Sequence, residues 1–533
     1  MYWLPLSFTP ALLLFTVALL VFTKISSTWR FRQNYAGKTI TVAPYWLPGL
    51  YHLVPFLWNP SEFTLNITKR FGWEKPIRVK VANYTFTISS NPKHIQQIFK
   101  NSRFLSAKSI TQRAARHLLD IPPSIMAFYE ADDSGMAAEP RKGSKVAQEN
   151  RILFQQTHTA QKFLASPYLE SLVNRFTTTF SRNVEDLGIE GDWVDHPDLF
   201  NFLQMTVARS NIEAMMGSKI LDINPHLVQD FWTAKAHAPQ FYQGLPRWVI
   251  PKAFKDRTHL VEGIKKWHSF ALENGDYTNT GAKDPDWDPV VGSKYAKVRL
   301  QYMLKMKPLT ADVRAAEDWG FVFGANGNTA PIIFWLMFEV LKHQDLRDRM
   351  IAEVNTCLSE DRTINVWNLA NSPLLQSAYS EVLRLRVSIL VSRMVEFADI
   401  NCDGYIIPRN EIILMHTDAL HYNEEAWTQA GRPSKTPLDR FDVDRFLVDT
   451  ENGREYSLDG LAGIWIPFGG GDRMCPGRHL AQMEILFTFA FLFSNYDIEM
   501  GSVDTDQVKC DMRYAPYGAL PPNRPVPFRM RRK

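Results

Sequence analysis

Cysteine is scarce in this chain of 533 residues, with four in all: Cys357, Cys402, Cys475 and Cys510. They lie far apart and form no C-x-x-C pair. That spacing indicates neither a zinc-ligand set nor a disulfide framework, and it fits a reducing compartment for the body of the protein. An excess of one charge is missing too. The 60 basic and 56 acidic side chains leave a net +4, too little for a nucleic-acid-binding surface. No internal repeat is visible. Residues 1 to 23 carry no charged side chain at all. What is abundant is apolar: 45% of residues are hydrophobic and 13% aromatic, enough for a large core and incompatible with disorder.

The uncharged start has a clear reading. Leu12 to Phe22 is nearly all apolar, and the first basic side chains are Lys24, Arg30 and Arg32. About 20 residues of helix cross a bilayer core. No basic segment precedes the run and no small-residue cleavage site follows it, which favours a retained anchor over a cleaved signal peptide. The basic flank on the C-terminal side keeps the body cytoplasmic. Pro44-Tyr45-Trp46-Leu47-Pro48-Gly49 then reads as a stiff hinge. The expected division is an anchor at 1–23, a basic, proline-rich hinge at 24–60 and a catalytic body at 61–533. Asn66-Ile67-Thr68 and Asn83-Tyr84-Thr85 match glycosylation sequons, which a cytoplasmic body leaves unmodified.

Along the body, Ile77 to Val81 and Thr85 to Ser89 read as paired strands turning at Asn83. Asn91-Pro92 starts a helix. Residues 130–149 and 274–293 read as loops, the first of them mobile. One long helix is expected from Thr310 to His343, starting at Thr310 or Asp312. Ile412 to Leu420 and Tyr514 to Pro527 return to extended structure.

The most informative segment is F-G-G-G-D-R-M-C-P-G, Phe468 to Gly477. Glycines let backbone pass close to a flat group and aim N–H donors at sulfur. Pro476 pre-sets the first turn of a helix expected over Gly477 to Phe493. The positive end of that helix should lower the pKa of Cys475. Five positions, Phe468, Gly471, Arg473, Cys475 and Gly477, match F-x-x-G-x-R-x-C-x-G. The segment resembles the haem-binding loop of the cytochrome P450 superfamily. The resemblance implies the cytochrome P450 fold, mainly α with small β-sheets, preceded by one N-terminal transmembrane helix. It implies haem b as cofactor, with Cys475 as axial thiolate and metal ligand. Arg473 would pair a haem propionate, Phe468 would cover the sulfur, and Gly471 and Gly477 would complete the frame.

Two further segments carry the same resemblance. Glu381-Val382-Leu383-Arg384 looks like the family's E-x-x-R pair, and Phe441 to Phe446 looks like its F-x-P-x-R-F segment, with Val443 where proline is common. A buried structural triad of Glu381, Arg384 and Arg445 is implied. Arg393 is a candidate second propionate partner, and Arg151 a weaker one. In Gly324-Ala325-Asn326-Gly327-Asn328-Thr329-Ala330-Pro331, two glycines and a proline loosen a helix. Thr329 supplies a hydroxyl that can support oxygen activation. Asn328 replaces the acid most members carry there, and an amide can orient water but not deliver a proton as an acid can. Asn328-Thr329 before Pro331 looks like the branch of sterol 7α- and 12α-hydroxylases and prostacyclin synthase.

The resemblance therefore implies a membrane-bound haem-thiolate monooxygenase with Thr329 and Asn328 as catalytic residues. Electrons would come from NADPH through NADPH–cytochrome P450 reductase. The other partners are O2, an apolar small molecule and the membrane, with no nucleic acid. The expected location is the endoplasmic reticulum membrane, single-pass, catalytic domain cytoplasmic. The style of the loops looks like fungal biosynthetic members, so a terpenoid, meroterpenoid, sterol or polyketide of a secondary-metabolite pathway is the expected substrate. Residues 103–129, 321–329, 387–391 and 515–517 are expected to line its pocket. A redox-independent isomerase or dehydratase acting on a peroxide is the alternative.

Overall fold

Alternate side chains of Ile77-Arg78-Val79-Lys80-Val81 are buried and half-buried, the pattern of a strand with one face on a core. The computed structural model describes residues 8–165, 167–276, 284–451 and 453–533, with backbone alone for 8–11. The first seven residues of the expected anchor, and 277–283 of the expected 274–293 loop, lie outside the described residues. The chain separates into two compact units. One holds residues up to Ile110, Ser388–Leu438 and Asp459–Met474; the other holds Thr111–Val387, Asp439–Leu458 and Cys475–Lys533.

In the first unit, helix α1 (Phe8–Tyr35) runs well past Thr23, through the basic flank expected to begin the hinge. Its C-terminal end is built into a core. Phe31 is buried with Ile67, Ile77, Val79 and Ile88, and its ring lies 4.6 Å from that of Phe71. The sheet runs β1 (Thr41–Val42), β2 (Ile77–Val81), β3 (Tyr84–Ile88), then β6 (Ile412–His416) and β5 (Val387–Val395), with β4 (Leu105–Ser106) also on β5. The β2–β3 turn is Ala82-Asn83, with Ala82 at φ 50°. Asn91 caps helix α2 (Pro92–Lys100) by accepting the Lys93 N–H at 2.9 Å. The extended run expected to Leu420 stops at His416. There the imidazole accepts the Asp418 N–H and a short helix, Thr417–His421, begins.

The second unit is a helix assembly: α3 (Tyr168–Glu185), α4 (Leu199–Met216), α5 (Leu227–Lys235), α6 (Ala311–Asn326), α7 (Thr329–Lys342), α8 (Pro373–Arg386) and α9 (Arg478–Asn495). Helix α7 is buried on every face from Thr329 to Val340 and packs on α4, α8 and α9. An all-round apolar helix either crosses a membrane or sits in a core, and its burial makes this one a core helix. The single helix expected from Thr310 to His343 is thus two, α6 and α7, parted at Gly327-Asn328. Because α7 restarts at Thr329, Pro331 falls in a first turn, where its missing N–H costs no hydrogen bond.

Candidate active site

Cys475 stands just before α9, in the second unit. Its Sγ accepts the backbone N–H groups of Gly477 and Arg478. The Arg478 guanidinium lies near, donating to the Cys475 carbonyl at 3.1 Å. These donors pull the thiol pKa down, but burial is the larger effect and leaves it raised. The depressed pKa expected from the helix end is therefore not what the protein alone produces. Desolvation of a thiolate outweighs two N–H groups and one cation. The residue as a whole is nonetheless exposed, whereas Cys357 and Cys402 are buried. Burial raises the pKa values of Tyr295 and Tyr379, and the nearby Cys475 charge adds to both. Among the described residues the buried Tyr379 hydroxyl has no hydrogen-bond partner.

The preceding part of the loop belongs to the first unit. Gly469 and Gly471 adopt φ of 69° and 67°, where side chains are strained. A Cβ on Gly470 would strike the Phe99 ring, and one on Gly471 the Ser102 hydroxyl. The demand for glycine at these two positions comes from protein neighbours, not only from a flat ligand. At Gly477 a Cβ would meet Cys475 Sγ at an ordinary 4.0 Å. Phe468 is half-buried, its ring edge-on to Trp465 at 6.2 Å. Arg393, on β5, donates to the Gly470 carbonyl at 3.0 Å. Burial, with like-charge repulsion from Arg473, lowers Arg393 to about 10, and burial lowers Arg473 to about 10.

At the α6–α7 break, Thr329 is buried and its hydroxyl donates to the Ala325 carbonyl at 3.3 Å. Asn328 does not present a free amide: its Oδ1 accepts the Ala519 N–H at 2.9 Å. That bond ties the break to strand β7 (Tyr517–Ala519). A Cβ on Gly518 would collide with the same oxygen. At Gly324, by contrast, a Cβ would meet nothing within 4 Å.

Glu381, Arg384 and Arg445 meet in the second unit. Glu381 accepts from Arg384 Nε at 2.7 Å and Nη2 at 2.8 Å, and from Arg445 Nε at 2.9 Å. The Asp442 N–H adds a fourth bond at 3.1 Å. Arg151 is committed elsewhere. Fully buried, it donates to the carbonyls of Ala137 and Ala138, to Gln148 and to Ser134 Oγ. It latches the expected mobile loop 130–149 instead of facing a ligand. Sequence reasoning also missed a buried network on α6. Asp318 pairs with His268 at 2.8 Å and Arg299 at 3.1 Å, and Glu317 accepts from Tyr129 and Gln156. Lone polar residues in apolar helices give no local signal for it.

Each part has chemistry that fits haem. The buried Arg393 and the half-buried Arg473 supply two guanidiniums, which suit a group bearing two carboxylates. Among the described residues no three His, Cys, Asp or Glu gather as a metal site.

Residues 44–523 match the family model described as Cytochrome P450. The chain is 28% identical to cytochrome P450 monooxygenase efuG of Hormonema carpetanum, over 98% of this chain and 96% of the relative. It is 29% identical to cytochrome P450 monooxygenase fsoE of Humicola fuscoatra, over 91% and 86%. Similarity extends to ferruginol synthase of Salvia miltiorrhiza, 24% identical over 89% and 90%.

Proposed function

The chain belongs to the cytochrome P450 family, and from that premise we propose that it is a haem b monooxygenase with Cys475 as its axial thiolate. P450 monooxygenases act on small molecules with O2 and a redox partner. Here the partner is NADPH–cytochrome P450 reductase, and the substrate an apolar terpenoid, meroterpenoid, sterol or polyketide of a biosynthetic pathway. Substrate C–H, O2, two electrons and two protons become C–OH and water.

The observation that carries this reading is Cys475 Sγ held by the N–H groups of Gly477 and Arg478 at the start of α9. When bound, the haem supplies the reduction of O2 and the cleavage of its O–O bond, favoured by thiolate electron donation. The chain supplies the rest. The two N–H groups orient the sulfur and moderate its charge. A coordinated cation holds the thiol ionised, the charge that burial opposes in the protein alone. Arg393 and Arg473 bind the propionates, and Phe468 shields the loop from water. Gly471 and Gly477 let the loop take its path. Thr329 holds a proton at Oγ1, and loosening of its 3.3 Å bond to Ala325 would free that proton for transfer. Asn328 positions β7 through Oδ1, leaving its NH2 to orient water.

Membrane attachment is part of the proposal. Helix α1 is long and apolar enough to span a bilayer. Its Leu12, Leu14, Phe15 and Phe22 are exposed. Trp29, Trp46, Val54, Leu57 and Trp58 of the same unit are exposed as well, aromatic and apolar side chains suited to an interface. We assign the endoplasmic reticulum membrane, with the catalytic body cytoplasmic.

A carbon monoxide difference spectrum on the reduced protein tests the thiolate. The red-shifted band of a thiolate-bound haem is expected in wild type and lost in Cys475→Ser. A band unchanged by that substitution removes the central claim. Turnover that persists without NADPH and reductase would point to the isomerase alternative.

A further inference from the structure

Lys235 ends helix α5, and it is 6% exposed. Its Nζ lies 5.3 Å from the Trp232 ring and 5.0 Å from the Tyr514 ring. Among the described residues it makes no hydrogen bond or ion pair, and burial alone lowers it to about 8. The stem reaches the α6–α7 break: a Cβ built on Gly327 would lie 3.6 Å from Lys235 Cε. Around it stand elements that bear on the reaction. Thr329 begins α7 two residues after Gly327. Tyr514 donates to the Ala236 carbonyl at 3.4 Å, and Tyr517 stacks on Tyr242 at 4.8 Å.

A buried ammonium with no counter-charge is costly, and two aromatic faces offset only part of that. A negative charge brought by a ligand would relieve that cost. Among the described residues of the second unit no carboxylate does so. The contact at Gly327 places the cation at the α6–α7 break that carries Thr329.

We propose that Lys235 is a specificity-determining residue that pairs with a carboxylate on an otherwise apolar substrate. A single cation among aromatic walls suits a monoanion; a phosphate ester would call for a second cation. The salt bridge fixes one end of the scaffold, and the distance from carboxylate to Thr329 then selects the carbon presented for oxidation. This rests on the haem-thiolate reading for the reaction but not for the binding.

The test uses full-length protein in detergent and matched pairs of free acid and methyl ester: lithocholic, dehydroabietic, oleanolic and palmitic. Binding is read by equilibrium dialysis, which does not depend on haem. At least one acid is expected to bind wild type about tenfold more tightly than its ester. Lys235→Met should abolish that preference and Lys235→Arg should retain it, with circular dichroism showing both variants folded. No acid preference in any pair, or a preference that survives in Lys235→Met, overturns the proposal. A cation held only for stacking on Trp232 and Tyr514 gives that second result. The carbon monoxide spectrum of the same samples judges the haem reading separately.

Discussion

Lys235 illustrates how a single residue can oppose folding while serving a site. Burial holds its pKa near 8, against 10.5 for an ordinary lysine. The cost of that shift is complete below about pH 8, where the folded protein must bury a charge. It shrinks as pH rises and is gone above the unfolded value, where both states are neutral. At 1.36 kcal/mol per pKa unit the cost is about 3 kcal/mol. Lys235→Met should therefore raise Tm at pH 7, with the gain shrinking toward pH 10; an equal gain at both pH values would mean burial of charge is not the cause. Thr329 acts by a different route, since its hydroxyl is useful only if it can leave Ala325. Thr329→Ala should cut product per NADPH consumed by about tenfold or more, while Thr329→Ser keeps most of it. Product and NADPH assayed together check this.

Elements are coupled where side chains bridge them. The break between α6 and α7 and strand β7 are joined by one bond, Ala519 N–H to Asn328 Oδ1. Asn328→Ala removes it, at about 1 kcal/mol, and frees β7 to shift. Asn328→Asp keeps an acceptor in place. Product profiles on one substrate should broaden for the alanine variant and stay narrow for the aspartate variant; identical profiles would show that the bond does not position β7. The break itself was legible in part. Two glycines and a proline marked a weak helix, but only the Thr329 restart shows why Pro331 is tolerated. Glu381, Arg384 and Arg445 were also readable, because motif spacing is local even when Arg445 arrives from 64 residues away. Arg151 was not readable: an arginine in a polar stretch looks the same whether it faces a ligand or latches its own loop.

For the whole molecule, α1 has two ends with different duties. Leu12, Leu14, Phe15 and Phe22 are exposed, whereas Phe31 packs with Phe71 and Ile77 in a core. Deleting residues 1–23 should move the protein from the membrane pellet to the soluble or detergent-free fraction with its carbon monoxide band intact. Deleting residues 1–35 removes Phe31 and Tyr35 from that core and should lower Tm as well. Fractionation and thermal melting of both truncations distinguish the duties. If the shorter deletion unfolds the protein, the division lies earlier than Lys24.

The sequence by itself determined the family, the cysteine and the frame around it, because that chemistry is written in ten consecutive residues. It also determined the apolar start and the Glu381–Arg384 spacing, which are likewise local. Tertiary structure decided which polar groups are spent and which remain available. It gave Asn328 to Ala519 and Arg151 to its own loop, surrounded Cys475 closely enough to raise its thiol, and left Lys235 without a counter-charge among the described residues. Each of those outcomes depends on desolvation and on partners distant in the chain, and neither is encoded in residue type or spacing.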